Sequence, residues 1–369
     1  MSGRRYPAAV IGVGKAGGGG PKGGGHAIAY SHAGALKRSP RVDLRAGCDI
    51  NTENLAAFRQ KFDVPQGFED YRAMLRELKP DLVSIATYVG LHRPMIEAAA
   101  DAGVKGIICE KPFVNSPADL DAVRRIVERT GVKIVIAHVR RYGAAFVRAR
   151  ELYNNGTVGK PVMVFAGIDG WDLSEWGSHW LDMIRYFHED RPVAWVMGQA
   201  RVGNFRGYGH LMEDHAVAYF GFEGGGRGVV DGGTAIGENS LTLVGTTGVI
   251  RVNQESRLVI ENTDGRREET FDDDPVDGWK ALGLPPANGN WAKIWDVVVA
   301  DLVAWIEGGP VPRIGLPHTF ASAELNLATY VSALRGDRVD LPLQGDDLKI
   351  DRWPVEVIGD RNAKAKGGA

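Results

Sequence analysis

The sequence has little that would commit it to a membrane, a nucleic acid or a disulfide framework. Its 369 residues include two cysteines, Cys48 and Cys109, and both fall in apolar, strand-like runs that suit buried thiols in a reducing compartment. No apolar run approaches the roughly 20 residues that a membrane helix needs, and the first residues lead into a strand rather than a signal-peptide core. The net charge of −2 gives no electrostatic reason to bind nucleic acid or an anionic membrane. We therefore expect a soluble, cytoplasmic protein with room for two domains.

Metal-binding patterns are also missing, whereas glycine is abundant. The nine histidines show no H-E-x-x-H spacing and the two cysteines no C-x-x-C spacing, so we expect no metal. The 49 glycines cluster in loops without a period. This distribution excludes a collagen-like or solenoid chain.

The first apolar run, residues 8–13, has the pattern of a strand that is covered on both faces. It leads into a G-x-G-x-x-G pattern formed by Gly12, Gly14 and Gly17, which lets main-chain N–H groups approach a pyrophosphate. A further glycine-rich stretch then intervenes before the helical run 26–36. Either the phosphate loop is enlarged, or its third glycine is Gly23. Gly12 and Gly14 are therefore the cofactor-binding candidates.

A second strand, predicted at 42–48, ends in Asp49. A carboxylate at this position accepts hydrogen bonds from the ribose hydroxyls of the adenosine and repels a 2′-phosphate, which favours NAD over NADP. The alternative is that Asp49 only caps or turns the chain before the helix predicted at 53–62.

Helices and strands continue to alternate as far as residue 137. Helices are predicted at 71–78, 94–102 and 117–129, and strands at 82–87, 106–109 and 133–137. This order implies right-handed crossovers and a doubly wound parallel sheet. Polar residues follow the later strands: Thr87 and His92, then Glu110 and Lys111, then His138, Arg140 and Arg141. Together they would line a cofactor and substrate cleft at one edge of the sheet.

From Lys160 onward the pattern changes to short β runs joined by glycine-rich turns, which favours an open, mostly antiparallel sheet. Helices predicted at 176–188, 291–308 and 319–334 would cover one face of it. The polar tail after Val357 is expected to be frayed. The predicted fold class is α/β, with an N-terminal Rossmann domain at 1–139 and an α+β domain at 140–369.

The segment 175–182 contains the other candidate for catalysis. His179 and Asp182 lie three residues apart on a predicted helix that begins with Ser178 as its N-cap, and Glu175 precedes them. A carboxylate neighbour would orient the histidine and hold its pKa near the working pH, as a general base requires. Whether Glu175 or Asp182 is that neighbour stays open, and such a histidine can equally be a packing residue.

These motifs together resemble the glucose-fructose oxidoreductase, inositol dehydrogenase and MocA (Gfo/Idh/MocA) family of nicotinamide-dependent oxidoreductases. The resemblance spans nearly the whole chain and rests on the glycine loop, Asp49, Ala86-Thr87, Glu110-Lys111-Pro112, Arg141-Tyr142, Gly177 to Asp182, and Val339 to Leu343. It implies a second domain that binds substrate and assembles the chain into homodimers or homotetramers.

The resemblance also implies residue roles. Lys111 would hydrogen-bond the substrate hydroxyl and the nicotinamide region, and His179 would remove the hydroxyl proton. Glu110 would position Lys111 and contact the cofactor, and the Lys111-Pro112 bond is a candidate cis peptide. Thr87 and His92 would lie along the nicotinamide, and Arg141, Glu175 and Asp182 complete the expected substrate-binding set.

Two positions depart from the family pattern. Glu175 stands where many members have aspartate, and Tyr88 stands where proline is usual and would stack on nicotinamide or substrate.

The leading hypothesis is an NAD-dependent dehydrogenase, with NADP as the other possible cofactor. It would act on a secondary hydroxyl of a sugar, polyol or sugar derivative, packed against Tyr142 and the tryptophans Trp171, Trp176 and Trp180, each of which can equally be a core or interface aromatic. The alternatives are a redox-neutral enzyme with tightly held NAD and a protein that binds NAD without turnover.

Overall fold

The computed structural model describes residues 4–14, 27–169, 172–203, 206–207, 210–234, 240–271 and 291–367. The first half of the chain forms a sheet with the spatial order β3-β2-β1-β4-β5-β6, in which all neighbouring strands are parallel. Its strands are β1 Tyr6–Ile11, β2 Val42–Cys48, β3 Gln66–Phe68, β4 Leu82–Ile85, β5 Gly106–Cys109 and β6 Lys133–Ile136. The intervening helices are α1 Ala29–Arg38, α2 Thr52–Phe62, α3 Tyr71–Leu78, α4 His92–Asp101 and α5 Pro117–Thr130. The predicted doubly wound parallel sheet is confirmed.

Local sequence signals fix where these helices begin. The Asn51 side chain accepts hydrogen bonds from the N–H groups of Glu53 and Asn54 at the start of α2, and Ser116 caps α5 in the same way. Such caps satisfy N–H groups that have no partner inside the helix. Strands β4 and β5 are buried along their whole length, as expected for strands covered on both faces.

The strand order reverses between β1 and β4, because β2 lies on the other side of β1. Ligands of open α/β sheets bind beyond the carboxyl ends of the strands at such a reversal. The chain places Gly12 after β1 and Thr87 after β4, so both residues lie at this point.

The second half of the chain contributes a nine-stranded sheet in the order β16-β15-β14-β13-β7-β12-β11-β8-β17. All neighbours are antiparallel except β7 and β12, which run parallel. The strands are β7 Pro161–Asp169, β8 Val193–Arg201, β11 His215–Phe222, β12 Arg227–Thr234, β13 Ser240–Gly245, β14 Gly248–Asn253, β15 Arg257–Asn262, β16 Gly265–Thr270 and β17 Val339–Asp340, with β9 Arg206–Gly207 and β10 His210–Leu211 forming a separate pair. The expected open, mostly antiparallel sheet is confirmed.

Helices of the second half cover this sheet and also return to the first one. They are α6 Ala144–Asn154, α7 Gly177–Phe187, α8 Trp291–Ile306, α9 Leu316–Arg335 and α10 Pro354–Gly367. Helix α9 packs on β8 and α7, whereas Val298 and Leu302 of α8 join Val10 and Leu36 in the core beside the parallel sheet. The last strand of the parallel sheet ends near the predicted boundary at residue 139, but α8 lies with the first domain in space. The boundary itself stays a prediction.

Two local expectations are wrong, and one helix was missed. Helix α6 was not predicted, and the tail expected to fray after Val357 continues as α10 to Gly367. Ser178 does not cap α7, because the helix already begins at Gly177 and the Ser178 hydroxyl donates to the main-chain oxygen of Glu175. No helix in the described ranges is both long and apolar enough to cross a bilayer.

Candidate active site

At the carboxyl edge of the parallel sheet, the segments that follow β1 and β4 approach each other closely at Gly12. This residue has φ of +85°, and a Cβ added there would lie 2.6 Å from both the Ala86 main-chain oxygen and the Thr87 Cγ2. Because any side chain would meet this backbone, glycine keeps the main chain open at the edge where a dinucleotide phosphate is held. Gly14 is buried two residues later, and the rest of the glycine-rich loop, 15–26, lies outside the described residues. The described residues at this edge therefore suit the binding of a dinucleotide.

Asp49 lies directly after β2 and is buried. Its Oδ1 accepts a hydrogen bond of 2.8 Å from the N–H of Asn51, and Asn51 rather than Asp49 caps α2. Asp49 therefore stabilises the turn before α2, as the alternative interpretation of this residue predicts in part. Its position at the end of the second strand is also the one from which a carboxylate reaches the adenosine ribose.

Thr87 follows β4 and His92 is the first residue of α4, and the two differ in burial. His92 is fully buried, and its two ring nitrogens lie 2.9 Å and 3.0 Å from the main-chain oxygens of Thr87 and Phe113. It therefore ties the loop after β4 to the loop after β5, and a contact of His92 with the cofactor stays a prediction. The Thr87 hydroxyl points to the sulfur of Met95 at 3.5 Å.

Glu110 holds the main chain at the end of β5. Its Oε2 accepts a hydrogen bond of 3.2 Å from the N–H of Lys111, and its Oε1 lies 3.1 Å from Nε2 of His32. His32 is itself fixed by Ser84, whose hydroxyl lies 2.8 Å from Nδ1. Glu110 therefore contacts the main chain of Lys111 and is itself supported from α1, a contact that the sequence did not indicate; its role in positioning the Lys111 side chain stays a prediction. The Lys111-Pro112 peptide bond is cis, as predicted.

Lys111 reaches from β5 to the segment that precedes α7. Its Nζ donates a hydrogen bond of 3.2 Å to the main-chain oxygen of Glu175 and lies 3.7 Å from Oε2 of the same residue. The nitrogen also lies 5.4 Å from the centre of the Trp176 ring, within cation–π range. The side chain is 17% exposed, so this cation is held in place without being sealed from the cleft.

His179 lies in the first turn of α7, with its ring centre 6.4 Å from that of Trp176 and 5.8 Å from that of His138. Burial lowers the pKa of His179 well below its usual value, and the cations of Arg140 and Lys111 lower it further. The imidazole is therefore neutral at neutral pH, which is the form that accepts a proton. The expectation that a carboxylate keeps this pKa near the working pH is wrong.

Asp182 is instead paired with Arg141. The carboxylate accepts hydrogen bonds of 2.7 Å and 2.8 Å from this guanidinium, and the two side chains are 0% and 1% exposed. Asp190 binds the same guanidinium at 2.7 Å and 2.9 Å, and Ser322 of α9 donates to Asp182 at 2.7 Å. Burial alone would raise the pKa of Asp182, but the charge of Arg141 brings it down to about 2. This buried cluster fixes α7, and a direct contact of Arg141 or Asp182 with substrate stays a prediction.

Glu175 faces Lys111, so neither candidate carboxylate is paired with Nδ1 of His179. That nitrogen is buried and accepts or donates no hydrogen bond among the described residues. Burial raises the pKa of Glu175 to about 8; Lys111 opposes this increase, and the neighbouring acids, with Asp172 first, add to it.

Sequence reasoning assigned no role to two residues of this site, Asp172 and Glu213. His138 was expected at this sheet edge, since it follows β6, and its ring lies beside that of His179. The sequence carried no signal for Glu213, since only the tertiary structure brings it to the segment 172–176. Trp171 lies outside the described residues, and Trp180 packs under Arg140, whose guanidinium lies 5.1 Å from its ring centre.

Two family models match the chain. The first, described as an oxidoreductase family with an NAD-binding Rossmann fold, GFO_IDH_MocA, covers residues 8–138, and the second, the GFO/IDH/MocA C-terminal domain, covers residues 146–251. Together they account for more than half of the chain.

Individual proteins show the same similarity. A D-apiose dehydrogenase of Paraburkholderia graminis is 27% identical, over 92% of this chain and 90% of the relative. A myo-inositol 2-dehydrogenase of Thermotoga maritima is 25% identical over 55% of this chain and 65% of the relative. Among solved structures, a levoglucosan dehydrogenase in complex with NADH and L-sorbose superposes with a TM-score of 0.76 over 92% of this chain and all of the other, at 20% identity, which supports the fold. The chain belongs to the Gfo/Idh/MocA family of NAD-binding oxidoreductases.

Proposed function

We propose that this chain is an NAD-dependent dehydrogenase that oxidises a secondary hydroxyl of a sugar, a polyol or a sugar derivative, with Lys111 and His179 acting on that hydroxyl. One observation carries the proposal: Lys111 at the edge of the nucleotide-binding sheet and His179 on α7 both lie beside the ring of Trp176. The names of the similar apiose and inositol dehydrogenases support the substrate class.

Gly12, Gly14 and Asp49 would hold NAD, with Thr87 and Glu110 at the same edge of the sheet. NAD, when bound, supplies the hydride acceptor. The NAD preference rests on Asp49, whose carboxylate accepts from ribose hydroxyls and repels a 2′-phosphate.

Lys111 would donate a hydrogen bond to the oxygen of the reacting hydroxyl. Its positive charge stabilises the negative charge that develops on this oxygen as the O–H bond breaks. The adjacent C–H bond breaks with loss of hydride, and the C–O bond becomes a carbonyl.

Neutral His179 would accept the hydroxyl proton on a ring nitrogen. Because burial and the neighbouring cations disfavour the imidazolium form, the proton is released readily when the carbonyl product leaves. Trp176 offers a flat apolar surface between the two residues against which a sugar ring can pack.

The proposal is tested by NADH formation with a panel that includes D-apiose, myo-inositol and levoglucosan. We expect at least one sugar or cyclitol to reduce NAD, and Lys111→Ala and His179→Ala each to lower kcat/KM by about 100-fold or more. Lys105→Ala is the control, because Lys105 pairs with Asp81 on the surface and its side chain is 39% exposed.

Wild-type rates in both site variants would contradict the proposed roles. Consumption of a sugar without accumulation of NADH would favour the redox-neutral alternative, in which the same site oxidises and then re-reduces its substrate. NAD binding without any turnover would favour the non-catalytic alternative.

A further inference from the structure

We propose that Glu213 is a positioning residue of this active site, which holds the main chain of residues 173–175 so that Glu175 meets Lys111. The inference rests on the proposed function, and it adds a residue that lies neither on the parallel sheet nor on α7. Glu213 lies between β10 and β11 and is 2% exposed.

The hydrogen bonds of Glu213 define its effect. Oε1 accepts from the N–H groups of Leu173 at 2.7 Å and of Ser174 at 3.2 Å, and the Ser174 hydroxyl lies 3.4 Å from Oε2. The hydroxyl of Tyr330, on α9, also donates to Oε1. One buried carboxyl group thus ties the turn before α7 to the helix that covers the second sheet.

Other side chains complete the hold on this turn. Asn326 of α9 donates to the main-chain oxygen of Ser174 at 3.2 Å, and Asp172 accepts from the N–H of Glu175. The N–H groups of Leu173, Ser174 and Glu175 are thus each bound by a buried carboxylate, and a displaced turn would leave these buried donors without their acceptors.

Glu175 and Trp176, at the end of this turn, both contact Lys111. The Glu175 main-chain oxygen accepts from Nζ at 3.2 Å, and the Trp176 ring lies next to the same nitrogen. A change at Glu213 would therefore act on the reaction by moving the ammonium of Lys111, although Glu213 itself touches neither Lys111 nor the cleft.

Glutamine is the informative replacement. Burial and the charge of Asp172 raise the pKa of Glu213 to about 7, so the neutral form is accessible at neutral pH. Gln keeps an oxygen that accepts from Leu173 and Ser174, whereas Ala leaves both N–H groups and the Tyr330 hydroxyl without their partner.

The first measurement is hydrogen exchange of the protein without added cofactor or substrate, read by mass spectrometry. In Glu213→Ala we expect the amides of residues 173–175 to exchange about 10-fold faster or more, and in Glu213→Gln to exchange nearly as in the wild type. This readout does not depend on activity, so it separates the failure of this inference from the failure of the proposed function.

The second measurement is steady-state kinetics with whichever sugar the wild type oxidises. We expect Glu213→Ala to lower kcat about 10-fold or more while KM for NAD changes little, and Glu213→Gln to restore most of kcat. Glu324→Ala is the matched control: Glu324 is also a buried carboxyl that accepts a main-chain N–H, from Leu343 at 3.0 Å, and it lines a groove that includes no candidate site residue.

The proposal is supported if Glu213→Ala shows both faster exchange at residues 173–175 and a lower kcat, if Glu213→Gln restores kcat, and if Glu324→Ala leaves kcat unchanged. Unchanged exchange at 173–175, an unchanged kcat, or an equal loss of kcat in Glu324→Ala would overturn it. If Glu213→Ala does not fold, Glu213→Asp takes its place, because it keeps the charge and withdraws the carboxylate by one methylene group; the same outcomes then decide.

Discussion

Replacing Asp182 by Asn should destabilise the protein strongly, although the side chain keeps its shape. Asp182 and Arg141 form a bidentate ion pair in which neither side chain is more than 1% exposed. The decrease of the Asp182 pKa from 3.8 to about 2 corresponds to about 2 kcal/mol of stability at neutral pH. Breaking a buried pair typically costs about 3–5 kcal/mol, but Asp190 still neutralises Arg141. We therefore expect a loss of about 2–3 kcal/mol.

The pH dependence has a definite sign. Because the folded pKa of Asp182 lies below its ordinary value, the ionised carboxylate contributes stability above about pH 4, and this contribution is lost as the pH falls towards 2. The difference in stability between wild type and Asp182→Asn should accordingly narrow over that interval.

Urea unfolding followed by tryptophan fluorescence and circular dichroism measures this difference. Asp296→Asn is the control, since it breaks an Arg38 pair whose side chains are 52% and 40% exposed and should cost less than about 1 kcal/mol. Equal losses in the two variants, or a difference that does not narrow in acid, would refute the reasoning.

Substitutions at Glu175, Asp49 and Gly12 test three other features of the site. Burial raises the pKa of Glu175 from 4.5 to about 8, so the wild type loses stability as the pH rises through this interval. Glu175→Gln should therefore have a higher free energy of unfolding than the wild type at about pH 9. Half of this pKa difference already corresponds to about 2 kcal/mol. Asp49→Ala should lower the ratio of kcat/KM for NAD to that for NADP about 10-fold or more, and an unchanged ratio would exclude Asp49 from ribose recognition. Gly12→Ala should abolish NADH binding, measured by fluorescence titration, because its Cβ would lie 2.6 Å from the Ala86 oxygen; Gly103→Ala is the control, having the same φ of +85° with nothing within 4 Å.

The order of strands and helices in the first half could be predicted because each element carries its own local signal. The apolar run bounded by glycine predicted β1, and the continuing alternation of helices and strands predicted α3, β4, β5 and α5. The three-residue strand β3 was too short to give such a signal. Helix α6 and the helical tail were missed, and in the structure α6 packs against α7 and the tail helix α10 against α9.

The pairing of charged residues in the site could not be predicted. Spacing put His179 and Asp182 on one helical face, which suggested a partnership. In the structure Asp182 turns to Arg141, whose two-pronged donor geometry binds a carboxylate better than an imidazole does. Which acid a base meets depends on elements that are distant in sequence.

By itself the sequence determined the chemistry that is available: the glycine turn after β1, the acid after β2, and Lys111 at the end of β5. Each of these features consists of residues that are neighbours along the chain, so it can be identified from the sequence alone. Only the tertiary structure decided that Lys111 rests on Glu175 and Trp176, that burial keeps His179 neutral, and that Glu213 holds the turn between them. Burial and long-range hydrogen bonds set charge states and positions, and both arise only when the two sheets and α9 pack together.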